Sequence, residues 1–348
     1  MVDEVRFDLL RSLTDVSGVP GYEDRIRELV IDELETATDR VSTDAMGNVV
    51  GTIEGSSEYG VVVAAHMDEI GFMVSDIDDG FLRLDPLGGW DPRVLRAKRA
   101  TVHTDDGDLV GVIGSPPAHS LDEEDLNSKP EIDDLYVDIG LSEEEAEEAV
   151  SPGDLVTLEQ EAVRMGELVT GKALDDRVCL YSMLEAAHAI EDPSVTIHFA
   201  ATVQEEVGLR GARALGVDID PDLAIALDVT MADDVPGTDG SPVTALGDGA
   251  AIKLKDSSVI TSPKVHRRLR DLAEDRDIEH QLEILPRGGT DTAALQVASG
   301  ATPVGAISIP TRYLHTVTES VHPGDVSAGI ELLVAFLESE DGTHDYTL

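Results

Sequence analysis

Two hydrophobic periods alternate along the second half of this chain, and that alternation limits the folds open to it more than any other feature. The helical stretch RVCLYSMLEAAHAI (177–190) leads into the strand-like VTIHFAATV (195–203), and the short helix LRGARAL (209–215) leads into DLAIALDV (222–229). A further helix opens at Ser262-Pro263, where serine offers an N-cap and proline suits the first turn. PVGAISI (303–309) is the next strand, and a last helix carries Val326, Ile330, Leu333 and Leu337 on one face. Strands alternating with helices stack as an α/β three-layer sandwich around a mixed, largely parallel central sheet. The run YGVVVAAH (59–66) lacks polar alternation and fits a strand of that sheet buried on both faces. Before it come two amphipathic helices, marked by Leu9, Leu10 and Leu13 and by Ile26, Leu29, Val30 and Leu34.

From about Gly71 to Val163 the texture is strand-like and turn-rich. ATVHTDDGDLVGVIG (100–114) reads as a hairpin turning at Asp106-Gly107, and Ser142 with Glu145 forms a capping box for a short acidic helix. The expected division is a main domain made of 1–70 and 164–348, with a β-rich module, 71–163, inserted into it. The terminal ESEDGTHDYTL (338–348) reads as a loose tail.

Charge narrows the function. The 348 residues carry 71 Asp+Glu against 25 Lys+Arg, a formal net charge of -46, with the acids spread through the chain. Such a surface repels nucleic acid and anionic lipid, so neither is an expected partner. It suits concentrated salt, where screening shortens self-repulsion to a few Å; the alternative is a protein dedicated to binding cations. With 41% apolar residues the chain can still bury a sizeable core. The single cysteine, Cys179, excludes an intrachain disulfide and reads as a small core residue. MVDEVRFDLL lacks the pattern of a signal peptide, and no apolar stretch approaches 18 residues. A soluble, cytoplasmic protein is the expectation.

Sites in open α/β sheets form at the carboxyl ends of strands. The polar residues stranded there are His66 and Asp68 after VVVAAH, Glu205 and Glu206 after VTIHFAATV, and Asp228 at the end of DLAIALD. Asp175 and Asp176 in GKALDDR and His315 after PVGAISI join them. Two imidazoles among several carboxylates is the mixture that borderline divalent cations such as Zn²⁺, Co²⁺ or Mn²⁺ prefer. Taken singly, each has an ordinary reading as a cap, a turn or a solvated acid. Adjacent glutamates are common in a chain one-fifth acidic, and in an extended strand they would face opposite sides. A bend is needed for both to reach one cleft.

HMDEIGF, GKALDDR, QEEVGLRGA, the Asp of ALDV, GGTD and RYLHT occur in an order and spacing that resemble the tetrahedral (TET) aminopeptidases, co-catalytic di-metal exopeptidases. The similarity covers nearly the whole chain. It implies that Asp175 bridges two divalent ions, with a cis peptide to Asp176; that His66 and Asp228 complete the ligands of one ion; and that Glu206 and His315 complete those of the other. Zn²⁺ or Co²⁺ are the first candidates, Mn²⁺ or Mg²⁺ the next. Asp68 matches the acid that orients His66, Glu205 matches the general base, and Thr290 and Asp291 are substrate-side candidates. The implied assembly is a dimer formed through a PDZ-like module at 71–163, built up into a tetrahedral dodecamer acting on short peptides. Cys179, where the family favours glycine, and Thr292, where it favours alanine, depart from the pattern. A related di-metal deacylase or carboxypeptidase, a glycosidase working with two carboxylates, and a non-catalytic cation-binding protein are the rival readings.

Overall fold

The computed structural model describes residues 6–121, 129–238 and 242–348. The first five residues, on which part of the signal-peptide reading rested, lie outside it. Among the described residues, seventeen strands fall into two sheets. The strands of the larger sheet are β1 (Arg40–Thr43), β2 (Val49–Ile53), β3 (Gly60–His66), β10 (Val163–Met165), β11 (Leu168–Gly171), β12 (Thr196–Thr202), β13 (Leu223–Met231), β14 (Ala250–Lys255), β15 (His280–Ile284), β16 (Val304–Arg312) and β17 (Glu319–Val321). They run in the order β1-β2-β12-β3-β13-β16-β17-β11-β10, with β14 and β15 branching from β16. The central pairs β12–β3, β3–β13 and β13–β16 are parallel, as is the branch pair β14–β15, and the other pairs are antiparallel. The sheet is therefore mixed, with a parallel centre.

Alternate residues of β3 enter different cores, as a strand covered on both faces requires. Val61, Val63 and Ala65 pack with helices Phe7–Asp15, Asp24–Ala37, Leu174–Ala189 and Pro323–Glu338; Val62 and Ala64 pack with Ala212, Leu215, Ala294 and Leu295 of helices Arg210–Ile219 and Asp291–Leu295. Cys179 is fully buried in the first core, as its reading anticipates. The final helix buries Val326, Ile330, Leu333 and Leu337 together.

The second sheet is a small closed antiparallel barrel of β4 (Gly71–Asp78), β5 (Phe81–Leu87), β6 (Lys98–Thr104), β7 (Gly107–Ile113), β8 (Tyr136–Asp138) and β9 (Leu155–Leu158). It has its own core, including Phe72, Val102, Val137 and Val156, and Trp90 stacks on Phe72 at 5.3 Å. The Ser142–Glu145 capping box is present, and Thr104 pairs with Gly107 across the expected hairpin. Barrel strands begin three residues after Asp68.

Three expectations need correction. Ser262 stands at the helix N-cap, but its hydroxyl accepts the Val304 amide at 3.0 Å instead of capping. Strand β13 runs past Asp228 to Met231, so that aspartate sits inside a strand. The C-terminal tail is anchored: Tyr346 is buried, donates to Glu340 at 2.6 Å and accepts from Arg268 at 2.7 Å. Among the described residues no helix is long and apolar enough to cross a membrane.

Candidate metal centre

Register places the centre. Ala64 pairs with Ala226 and His66 with Thr202, so two residues further on His66, Thr202 and Asp228 lie level at the carboxyl edge of the parallel strands. Pairing of β13 with β3 ends at Ala226, two residues before Asp228, which is buried inside its strand beside His66, Asp175 and Asp176. Asp175 opens a helix, and the peptide joining it to Asp176 is cis. His315 lies three residues past β16, at φ +57°.

Two groups of metal-competent side chains result. His66, Asp175, Asp176 and Asp228 form one; Asp175, Glu206 and His315 form the other. Asp175 belongs to both: its Oδ1 is 3.3 Å from His66 Nε2 and its Oδ2 is 3.5 Å from His315 Nε2. Glu206 Oε2 lies 4.0 Å from the same His315 nitrogen. Glu205 is in neither group. Asp176, a candidate from the sequence to which the resemblance gives no ligand role, joins the first group, and its Oδ2 accepts the His66 amide at 3.2 Å.

Both histidines are oriented from behind. His66 Nδ1 is 3.1 Å from the main-chain carbonyl of Asp68 and 3.5 Å from its Oδ1, so the carbonyl is the closer acceptor. His315 Nδ1 donates to the carbonyl of Gly89 at 2.6 Å, which leaves Nε2 free to face Asp175. That acceptor comes from the segment after β5, a contact invisible in the sequence. A Cβ on Gly89 would sit 3.0 Å from His315 Nδ1. Gly89→Ala is accordingly expected to push the ring aside and lower kcat about 10-fold, as loss of a ligand's outer support does, with the melting temperature nearly unchanged; steady-state kinetics beside a thermal melt checks this.

The paired glutamates turn as the sequence requires. Gln204 takes φ +55°, and the next two amides, Glu205 and Glu206, converge on Asp68 Oδ1 and Oδ2 at 3.0 and 3.1 Å. Consecutive amides of an extended strand point to opposite sides, so this convergence is the bend itself. The Glu205 carbonyl then accepts from Gly208 and Leu209. Behind the turn, buried Glu23 accepts the amides of Gly21 at 2.7 Å and Gln204 at 3.2 Å through Oε1, while its Oε2 lies 3.7 Å from Arg27 Nη2 and has no hydrogen-bond partner among the described residues. Burial, with the nearby Asp68 charge adding to it, lifts Glu23 to about 7. Since the folded value exceeds the ordinary 4.5, its contribution to stability is full below that value and is lost as pH rises through about 7. Glu23→Gln keeps the acceptor and should raise stability at pH 8 by roughly 2 kcal/mol, flattening the profile over that window; urea melts across pH 4–9 measure it.

Thr290 and Asp291 are both buried at 3% exposure. Asp291 accepts from the Thr202 hydroxyl, and Thr290 donates to Thr292 at 2.8 Å. Arg177, the last residue of GKALDDR, is fully buried and holds the carbonyls of Leu13 and Val16, tying the first helix to the centre's floor.

The donor set fits divalent cations. Without a counter-charge, burial pushes Asp176, Glu205, Glu206 and Asp228 well above the usual carboxylate range, and neighbouring acids push further. For His66 burial favours the neutral ring, but hydrogen bonds to Asp175 and Asp68 overcome it and hold its pKa well above the ordinary value. Asp176 Oδ1 and Asp291 Oδ1 are buried without a hydrogen-bond partner among the described residues. Mutually repelling acids gathered round two imidazoles are what a bound cation relieves.

An α/β sheet carrying such a cluster at the carboxyl edge of its parallel strands defines a metal-dependent hydrolase. The sequence pattern described as M42 glutamyl aminopeptidase matches residues 47–332. The lysyl aminopeptidase of Pyrococcus furiosus is 39% identical over 341 residues, covering 96% of this chain and 97% of that one. Among solved structures, an aminopeptidase from the archaeon Desulfurococcus kamchatkensis superposes with a TM-score of 0.92 at 38% identity, over 96% of this chain and 94% of its own. The Pyrococcus horikoshii TET1 peptidase, which can assemble into a tetrahedron or a large octahedral shell, gives 0.87 at 35%, over 96% and 99%. The chain belongs to the M42 peptidase family and is a metal-dependent aminopeptidase.

Proposed function

We propose that this aminopeptidase holds two divalent ions, Zn²⁺ or Co²⁺ before Mn²⁺ or Mg²⁺, and removes N-terminal residues from short peptides. The observation that carries the reading is the Asp175 carboxylate with one oxygen toward each histidine. His66, Asp228 and Asp175 would hold one ion, and Glu206, His315 and Asp175 the other. When bound, the ions acidify a water and polarise the scissile carbonyl. Glu205, outside both groups, takes the proton from the attacking water and passes it to the leaving amine. Asp68 fixes the turn that keeps Glu205 and Glu206 apart in role. Thr290 and Asp291 shape the substrate side from behind Thr202. The barrel region, 71–163, serves as a PDZ-like dimerisation domain on a catalytic domain of 1–70 and 164–348, and dimers build a tetrahedral dodecamer that admits only short or unfolded chains.

The test compares a free-amine aminoacyl anilide with its N-acetylated form, before and after chelation and metal add-back. Cleavage of the free amine alone, lost with the metal and restored by it, supports the proposal; preference for the acetylated form makes the protein a deacylase instead. The acidic surface is read as an adaptation to concentrated salt, and the melting temperature should climb as KCl rises into the molar range. A flat or falling response would count against it.

A further inference from the structure

Glu319 was no part of the residue pattern that located the centre, and it belongs to neither metal-competent group. It lies in β17, is 2% exposed, and has both carboxylate oxygens engaged. Oε2 accepts the Asp175 amide at 2.9 Å and Oε1 accepts the His315 amide at 3.0 Å. These amides belong to distant parts of the chain: one opens a helix, the other sits past β16 in the left-handed region, which a residue with a Cβ adopts only when its surroundings hold it there. Both side chains face each other, with His315 Nε2 3.5 Å from Asp175 Oδ2.

We propose that Glu319 is a positioning residue of the metal centre, holding the backbones of Asp175 and His315 so that their side chains converge on one ion. The proposal rests on the two-ion reading above. A carboxylate suits the task because it offers two acceptors and no donor. Glutamine would satisfy one amide and turn its own N–H groups toward the other, leaving a buried donor facing a donor.

Asp325 supplies the control. It is equally buried and accepts the amides of Gly247 and Gly249 at 2.8 and 2.9 Å, none of them in the metal-competent groups. Metal-free wild type, Glu319→Gln, Glu319→Asp and Asp325→Asn are compared for Zn²⁺ stoichiometry and affinity by chelator competition, for melting temperature, and for kcat and KM on an aminoacyl anilide. Glu319→Gln is expected to lose about 10–100-fold in Zn²⁺ affinity, with kcat falling and KM held, while Asp325→Asn loses stability alone. If the glutamine variant fails to fold, Glu319→Asp, which keeps both acceptors at shorter reach, should give the same loss in smaller measure. Wild-type affinity in a folded Glu319 variant, or an equal loss in Asp325→Asn, overturns the proposal. A wild type that takes up no stoichiometric Zn²⁺, Co²⁺, Mn²⁺ or Mg²⁺ overturns the two-ion reading itself, and with it the role of Glu319; that outcome is recognised before any substitution is compared.

Discussion

Glutamine in place of Glu205 is expected to leave the bound metal unchanged and to lower kcat by about 10²–10⁴-fold, the usual range for losing a positioned proton carrier. The turn that presents residue 205 depends on main-chain groups, its amide on Asp68 Oδ1 and its carbonyl under Gly208 and Leu209, and all of these survive the change. Its side chain reaches neither metal-competent group, so the ligand set stays whole. KM should move little, since the amide side chain keeps the size and polarity of the wall. Metal content by mass spectrometry, paired with steady-state kinetics, separates the outcomes. Turnover near wild type would remove Glu205 from the chemistry, and loss of metal would make it a ligand.

A larger effect is expected from Asp175→Ala. This is the one carboxylate common to both groups, with Oδ1 toward His66 and Oδ2 toward His315. On the two-ion reading, removing it would leave each ion with fewer protein ligands and take away a negative charge shared by both. Uptake of both ions should weaken together, and turnover should fall on the order of 10⁴-fold or more, because every step that depends on metal is lost at once. The fold should persist, since the residue 175 amide still meets Glu319. Native mass spectrometry of the variant is decisive: two ions retained at wild-type affinity would mean that Asp175 is not shared.

Much of this architecture was legible in the residues, and the limits have physical causes. The unbroken apolar run of β3 announces a two-faced strand, and the polar residues that end such strands have to gather along one edge. His66, Glu205, Glu206 and His315 could be found that way because strand ends are marked by a change of composition. Asp228 was found for a slightly wrong reason, since its strand continues and its partner strand is what stops. Glu319, Glu23 and Gly89 act through main-chain amides and carbonyls, and a main-chain partner leaves no trace in residue type. In a chain with 71 acids, a buried acceptor such as Glu319 looks like any other glutamate. The tail misled for a related reason: its polar letters conceal one tyrosine that docks beneath Arg268.

The order in which the chain is synthesised meets a constraint set by the parallel centre of the sheet. Strand β3 lies between β12 and β13, and β16 closes the set, so the second group of the cluster, which needs His315, cannot form until residues beyond 304 exist. His315, its Gly89 acceptor and Glu319 come from widely separated stretches of the sequence. A ribosome-bound fragment ending before β16 would therefore carry the residues of the first group, His66, Asp175, Asp176 and Asp228, but lack His315 and with it the second group. Any activity that needs both groups would be withheld from a copy truncated before His315. Long-range strand pairing, which slows folding, here makes the second half of the centre the last to be assembled.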